Sequence, residues 1–70
     1  MKEKEKTFGE KRVRVSFNPS DNSEVDEVKK EFAALIDKAE KFKEKDPRMA
    51  SIIQTKLEEG SMWFVKLLTV

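Results

Sequence analysis

The residues able to do chemistry are few in kind. The 70-residue chain has no cysteine and no histidine. Thiol and imidazole nucleophiles are excluded, and a structural zinc site is excluded in practice. Two glycines cannot build a phosphate-cradling glycine loop. Carboxylates occur in pairs, but their spacing puts them on exposed helix faces. An enzyme is therefore not expected, and neither a metal nor a cofactor is called for. Cation chemistry remains, carried by the lysines and by arginines such as Arg12 and Arg14. With 15 basic and 14 acidic residues the formal net charge is +1. A dedicated DNA binder normally has a strong basic excess, so none is expected here, although a local basic pocket is compatible with this balance.

The elements that must position these cations have little interior to draw on. Hydrophobic residues make up 37% of the chain and charged residues 41%. Burial contributes about 25 cal/mol per Å² of apolar surface, against roughly 1.5 kcal/mol of ordering entropy per residue. A chain this short sits near balance without a staple, and oligomerisation is the staple left open. Ser61 to Val70 points the same way. Met62, Trp63, Phe64, Val65, Leu67, Leu68 and Val70 surround one charge, Lys66. A helix apolar on more than one face must be covered, here by a second copy of the chain. No segment approaches the ~20 apolar residues of a membrane span, and the N-terminus lacks a signal-peptide apolar region. A soluble, cytoplasmic protein without membrane contact is expected.

Along the chain, residues 1–6 read as a disordered charged tail and residues 7–70 as one domain. Arg12 to Phe17 alternates polar and apolar, which predicts an extended segment with Val13, Val15 and Phe17 on one face. A short helical turn around Thr7 to Lys11 is the other option. Asn18 to Ser23 is turn and cap chemistry, and Ser23 is the favoured N-cap. Val25, Val28, Phe32, Leu35, Ala39 and Phe42 then form a seam, widened by Ile36, predicting a helix over about 24–43. Asp26 with Lys30, and Asp37 with Lys41, are spaced to pair across a turn. Asp46 followed by Pro47 starts a second helix over about 47–68. Its predicted inner face is Met49, Ile52, Ile53, Leu57, Gly60, Phe64 and Leu67. Gly60 is read as a close approach of another backbone. A strand over residues 62–70 is the competing reading. The brief connection makes the helices antiparallel. The expected fold is all-α: an antiparallel two-helix hairpin with an extended or short N-terminal element, assembled as an intertwined homo-oligomer.

Two stretches carry a resemblance: VSFNPSDNSEVDEVKKEFAALID, and RMASIIQTKLEEGSMWFVKLL. The FNPS-type turn leading into V-D-x-x-K and A-x-L-I-D, then T-x-L-E-x-x-x-M-W-x-V-K, resembles the small phage anti-CBASS cyclic-nucleotide sponges. The likeness covers roughly Val15 to Leu68. It implies a homohexamer that sequesters cyclic oligonucleotide messengers of bacterial defence, such as cGAMP, without cleaving them. It also implies separate pockets for cyclic dinucleotides and cyclic trinucleotides, acting in the cytoplasm of the infected host. By the resemblance, Phe17 stacks on a base, where family members often carry tyrosine. Asn18 makes a polar contact, and Lys29 or Lys30 meets phosphate. Arg48 faces trinucleotide phosphates, with Thr55 at the family's threonine position. Met62, Trp63 and Val65 belong to the oligomer interface.

Without the resemblance, Phe17 is core or interface, and Lys29, Lys30 and Arg48 are solvated helix charges. Two other functions compete: a coiled-coil-like adaptor with no small ligand, and a nucleic-acid regulator using Arg12, Arg14 and the lysines. Near-zero net charge counts against the regulator.

Overall fold

A computed structural model describes residues 6–15 and 22–70 of the chain. These residues form three helices and no strand: α1 (Phe8–Val13), α2 (Ser23–Lys41) and α3 (Pro47–Leu68). The molecule is all-α, an antiparallel hairpin of α2 and α3 with α1 packed against it.

The N-terminal element is helical because its start is strongly capped. Thr7 Oγ1 accepts from Glu10 N at 3.1 Å, and the Glu10 carboxylate accepts from Thr7 N at 2.8 Å. This reciprocal capping box satisfies two otherwise orphaned amides. It outweighs the polar–apolar alternation, so Arg12 and Val13 are helical and Arg14 and Val15 form a turn instead of the predicted extended segment. Arg14 closes α1 in the left-handed region, at φ 56 and ψ 56. Val13 is buried and Val15 packs on the same cluster, so those two share an environment as expected. Phe17, the third member of that alternation, lies outside the described residues, as does most of the charged tail.

α2 starts at Ser23, and its N-cap is Asn22 rather than Ser23: the Asn22 carboxamide accepts from Glu24 N at 2.8 Å. It ends at Lys41, two residues before the predicted Lys43. α3 matches its expected bounds. Asp46 accepts from Met49 N at 3.0 Å, with Pro47 in the first turn where its missing N–H is no loss. The helix continues through Gly60 to Leu68, which rules out the strand over residues 62–70.

The packed faces match the predicted ones only at Val25 and Ile36 among the buried residues. On α2 the buried residues are Val25, Lys29, Ala33 and Ile36; on α3 they are Ala50, Gln54 and Ser61. Five residues predicted to face inward on α3, Met49, Ile52, Ile53, Phe64 and Leu67, are between 42% and 68% exposed. Leu35 and Phe42 of the expected α2 seam are each 50% exposed. The reason is close approach. Small and polar residues sit in the seam, where backbones come together, and the large apolar side chains spread outward. Gly9 is the extreme case: a Cβ there would lie 2.1 Å from the Ala33 carbonyl oxygen. Gly60, expected to meet a backbone, instead faces the Phe32 ring, with its Cβ position 3.2 Å from Cε1.

The core is small. Val13, Ala33 and Ile36 form its centre, with Val15, Phe32 and Leu57 against them. Burying Ile36 fully contributes roughly 1.5–3 kcal/mol. Polar locks supplement it. Gln54, 1% exposed, donates from Nε2 to the Ile36 carbonyl at 3.1 Å and to the Glu40 carboxylate at 2.9 Å, fixing α3 against α2. Asp37, expected to pair with Lys41, instead accepts from Gly9 N at 2.7 Å and pins the start of α1 to α2.

Candidate functional site

The expected site residues fall into three groups. Phe17 and Asn18 lie outside the described residues. The lysines that follow them are separated by the helix. Lys30 is exposed on α2. Lys29, one residue earlier, is 6% exposed, and its Nζ donates to the Arg14 carbonyl at 3.1 Å. Burial pushes the Lys29 ammonium below the usual lysine range; the Asp26 carboxylate pulls it back up and the Arg14 charge lowers it further. The bond ties the first turns of α2 to the left-handed end of α1, the point from which the chain continues to Phe17. Two neighbouring lysines therefore have different work: one anchors a backbone turn, the other meets solvent.

The second group does come together. Arg48 and Thr55 line one shallow groove of about 320 Å³ along α3, with Ser51, Ile52 and Lys56 between and beside them. The spacing of three and four residues puts 48, 51, 52 and 55 on one stripe, about two turns long. Two cationic and two hydroxyl residues border the groove around Ile52, and the surface it opens is almost wholly apolar. That set suits a phosphate-bearing ligand: charge-assisted bonds to oxygen, with an apolar contact for a base or sugar. Ser51, Ile52 and Lys56 were not singled out from the sequence, although the same spacing that relates Arg48 to Thr55 would have found them.

The third group is the C-terminal apolar stretch. Met62 and Trp63 are 66% and 67% exposed, whereas Val65 is half-buried towards the hairpin. Lys66 Nζ lies 5.0 Å from the centroid of the Trp63 ring system. A second apolar surface lies on the face of the hairpin away from α1. Leu35, Ala39, Phe42, Met49, Ala50 and Ile53 line a pocket of about 290 Å³. Leu35 also borders an adjoining pocket of about 220 Å³ with Val28, Phe32 and Phe64. On α2, Ala33 under α1 and Leu35 on the open face are two residues apart, about 200° round the helix. Contiguous exposed apolar surface of this kind marks an interaction face.

Among the described residues no group of acidic, histidine or cysteine side chains could hold a metal ion, and no helix is long and apolar enough to cross a membrane.

Fold and surface together define a class: a small helical hairpin with a short N-terminal helix, a groove along α3 bordered by Arg48 and Lys56, and exposed apolar faces. The sequence matches the family model described as Acb2/Tad1, hairpin domain, over residues 10–69. The chain belongs to this family, which is known for anti-CBASS sequestration of cyclic nucleotides; it is a family of binding domains, not of enzymes. No curated protein and no solved structure matches the chain.

Proposed function

We propose that this protein is a phage immune-evasion sponge that binds cyclic dinucleotide and cyclic trinucleotide messengers in the host cytoplasm and holds them without cleavage. Membership of the Acb2/Tad1 hairpin family is the observation that carries the reading. The α3 groove supports it, because Arg48, Ser51, Thr55 and Lys56 supply the donors a phosphodiester needs. Cyclic trinucleotides are assigned to this groove. Cyclic dinucleotides are assigned to Phe17, Asn18 and Lys30. The Phe17 ring stacks on a base, worth about 1–3 kcal/mol, and Lys30 meets phosphate. Lys29 supports that pocket indirectly, by holding the Arg14 carbonyl three residues before Phe17 in the chain.

The working form is a homo-oligomer, a hexamer by family likeness. Met62, Trp63 and Val65, together with the open face around Leu35 and Phe42, form its seams. The exposure of Met62, Trp63, Leu35 and Phe42 supports this part of the reading, since an isolated chain leaves them in water. The same exposure also suits the competing function, an oligomeric adaptor with no small ligand.

Calorimetric titration of two variants tests the assignment. Phe17→Ala is expected to lose cyclic dinucleotide binding and keep cyclic trinucleotide binding; Arg48→Ala is expected to do the reverse. Loss of both ligands in either variant, with assembly intact, would mean that the pockets are not separate. Full binding of both ligands by both variants would remove these residues from the sites.

A further inference from the structure

Where α1 meets α3 the surface holds a pocket of about 370 Å³ that the sponge reading leaves unused. Lys11, Arg12 and Arg14 line it from the α1 side, and Glu58 and Met62 from α3. Among the described residues the lining holds three cationic side chains and one carboxylate, and that carboxylate is already engaged. The Glu58 carboxylate accepts from Arg12 Nε, and the Arg12 guanidinium lies 5.3 Å from the centroid of the Phe8 ring. Arg12 is thus held by one edge and one face. Its two terminal nitrogens make no hydrogen bond with a described residue. A guanidinium fixed in this way presents a ready fork for phosphate oxygens and gives up little rotamer freedom on binding.

Arg14 is the second, independent sign. It occupies the left-handed position that ends α1, at φ 56, where glycine is the usual choice and a side chain is strained. Strained backbone of this kind concentrates at functional positions. Here it places a cation on the wall of a cationic pocket, and Lys29 Nζ holds the strained turn through the Arg14 carbonyl at 3.1 Å.

We propose that this pocket is a phosphate-anion site for a nucleotide. Arg12 is the bidentate anchor, and Lys11 and Arg14 supply further charge. The phosphate can come from a free nucleotide or from a cyclic messenger, and the inference stands whether or not the sponge reading does.

The test is calorimetric titration of the full chain with inorganic pyrophosphate, ADP and a cyclic dinucleotide at fixed ionic strength. Wild type is expected to bind pyrophosphate. Arg12→Gln should weaken that binding about tenfold or more, the loss of a charge-assisted pair. Arg14→Gly should weaken it several-fold while melting no lower than wild type, because glycine suits the turn. Lys41→Gln, an exposed cation elsewhere, should bind as wild type does. A parallel loss of cyclic dinucleotide in Arg12→Gln and Arg14→Gly would identify the messenger as the source; unchanged cyclic dinucleotide binding would identify a free nucleotide. No pyrophosphate binding by wild type would overturn the site. So would undiminished binding in the two arginine variants, or an equal loss in Lys41→Gln.

Discussion

At the scale of single residues, the two glycines make opposite predictions. Gly9→Ala puts a methyl group 2.1 Å from a backbone oxygen and 2.8 Å from its carbon, neither of which can move without shifting α2. Overpacking of this severity costs about 3 kcal/mol, and thermal melting should show the loss directly. Gly60→Ala meets only the Phe32 ring at 3.2 Å, a side chain on the open face with room to give. There the ~1 kcal/mol gain in helix propensity should win, and the melting temperature should rise. The sequence made Gly60 conspicuous, inside an obvious helix, and left Gly9 unremarked in a short polar stretch. Only the crossing of α1 over Ala33 reveals which glycine is constrained. Lys29 gives a pH signature. Its folded pKa is lowered, so between that value and the unfolded 10.5 the unfolded chain binds more protons. Stability from this group therefore rises with pH across that alkaline window. Lys29→Met should abolish the rise in a series of denaturant titrations; a rise that persists would place the titrating group elsewhere.

At the scale of elements, helix starts were more legible than helix faces. Asp46 before Pro47 carries its own chemistry in adjacent residues, and α3 begins there. The capping box of Thr7 and Glu10 was equally local, but the alternation from Arg12 to Phe17 masked it. Faces are harder because they depend on distance between backbones. A heptad count assumes that the largest apolar residues face inward, whereas this seam admits Ala33, Ala50, Gln54 and Ser61 and turns Leu35, Phe42 and Met49 outward. Gln54 could not be read as a core residue from its type; its burial depends on finding both the Ile36 carbonyl and Glu40. The hydrogen bond from Gln54, followed by that from Lys43, holds the Glu40 carboxyl below the usual carboxylate range. A depressed folded pKa gives stability that is present above the ordinary value of 4.5 and lost as pH falls through the folded pKa. Glu40→Gln should flatten the acid limb of the stability profile. An unchanged acid limb would show that this lock contributes nothing to it.

At the scale of the whole molecule, the hairpin is a slab with Cα extents of 38 × 36 × 12 Å. A layer this thin can cover one face with α1 but leaves the other open. The expectation of a second copy rests on Ser61 to Val70, where Met62 and Trp63 are exposed in the single chain. The face around Leu35 and Phe42 was hidden by the expectation that those residues formed the seam. On this account Leu35→Asp and Trp63→Ala both lower the molecular mass in analytical ultracentrifugation, and Trp63→Ala loses ligand because it loses assembly. A Trp63→Ala protein that stays assembled but binds nothing would put the indole in a binding pocket instead. The central claim is sequestration without cleavage, and one measurement reaches it most directly. Wild-type protein is titrated calorimetrically with a panel of cyclic di- and trinucleotides, then heat-denatured, and the released ligand is chromatographed. The account predicts saturable heat with at least one member of each ligand class and recovery of that ligand intact. No heat with any of them, or recovery of a hydrolysed product, would contradict it.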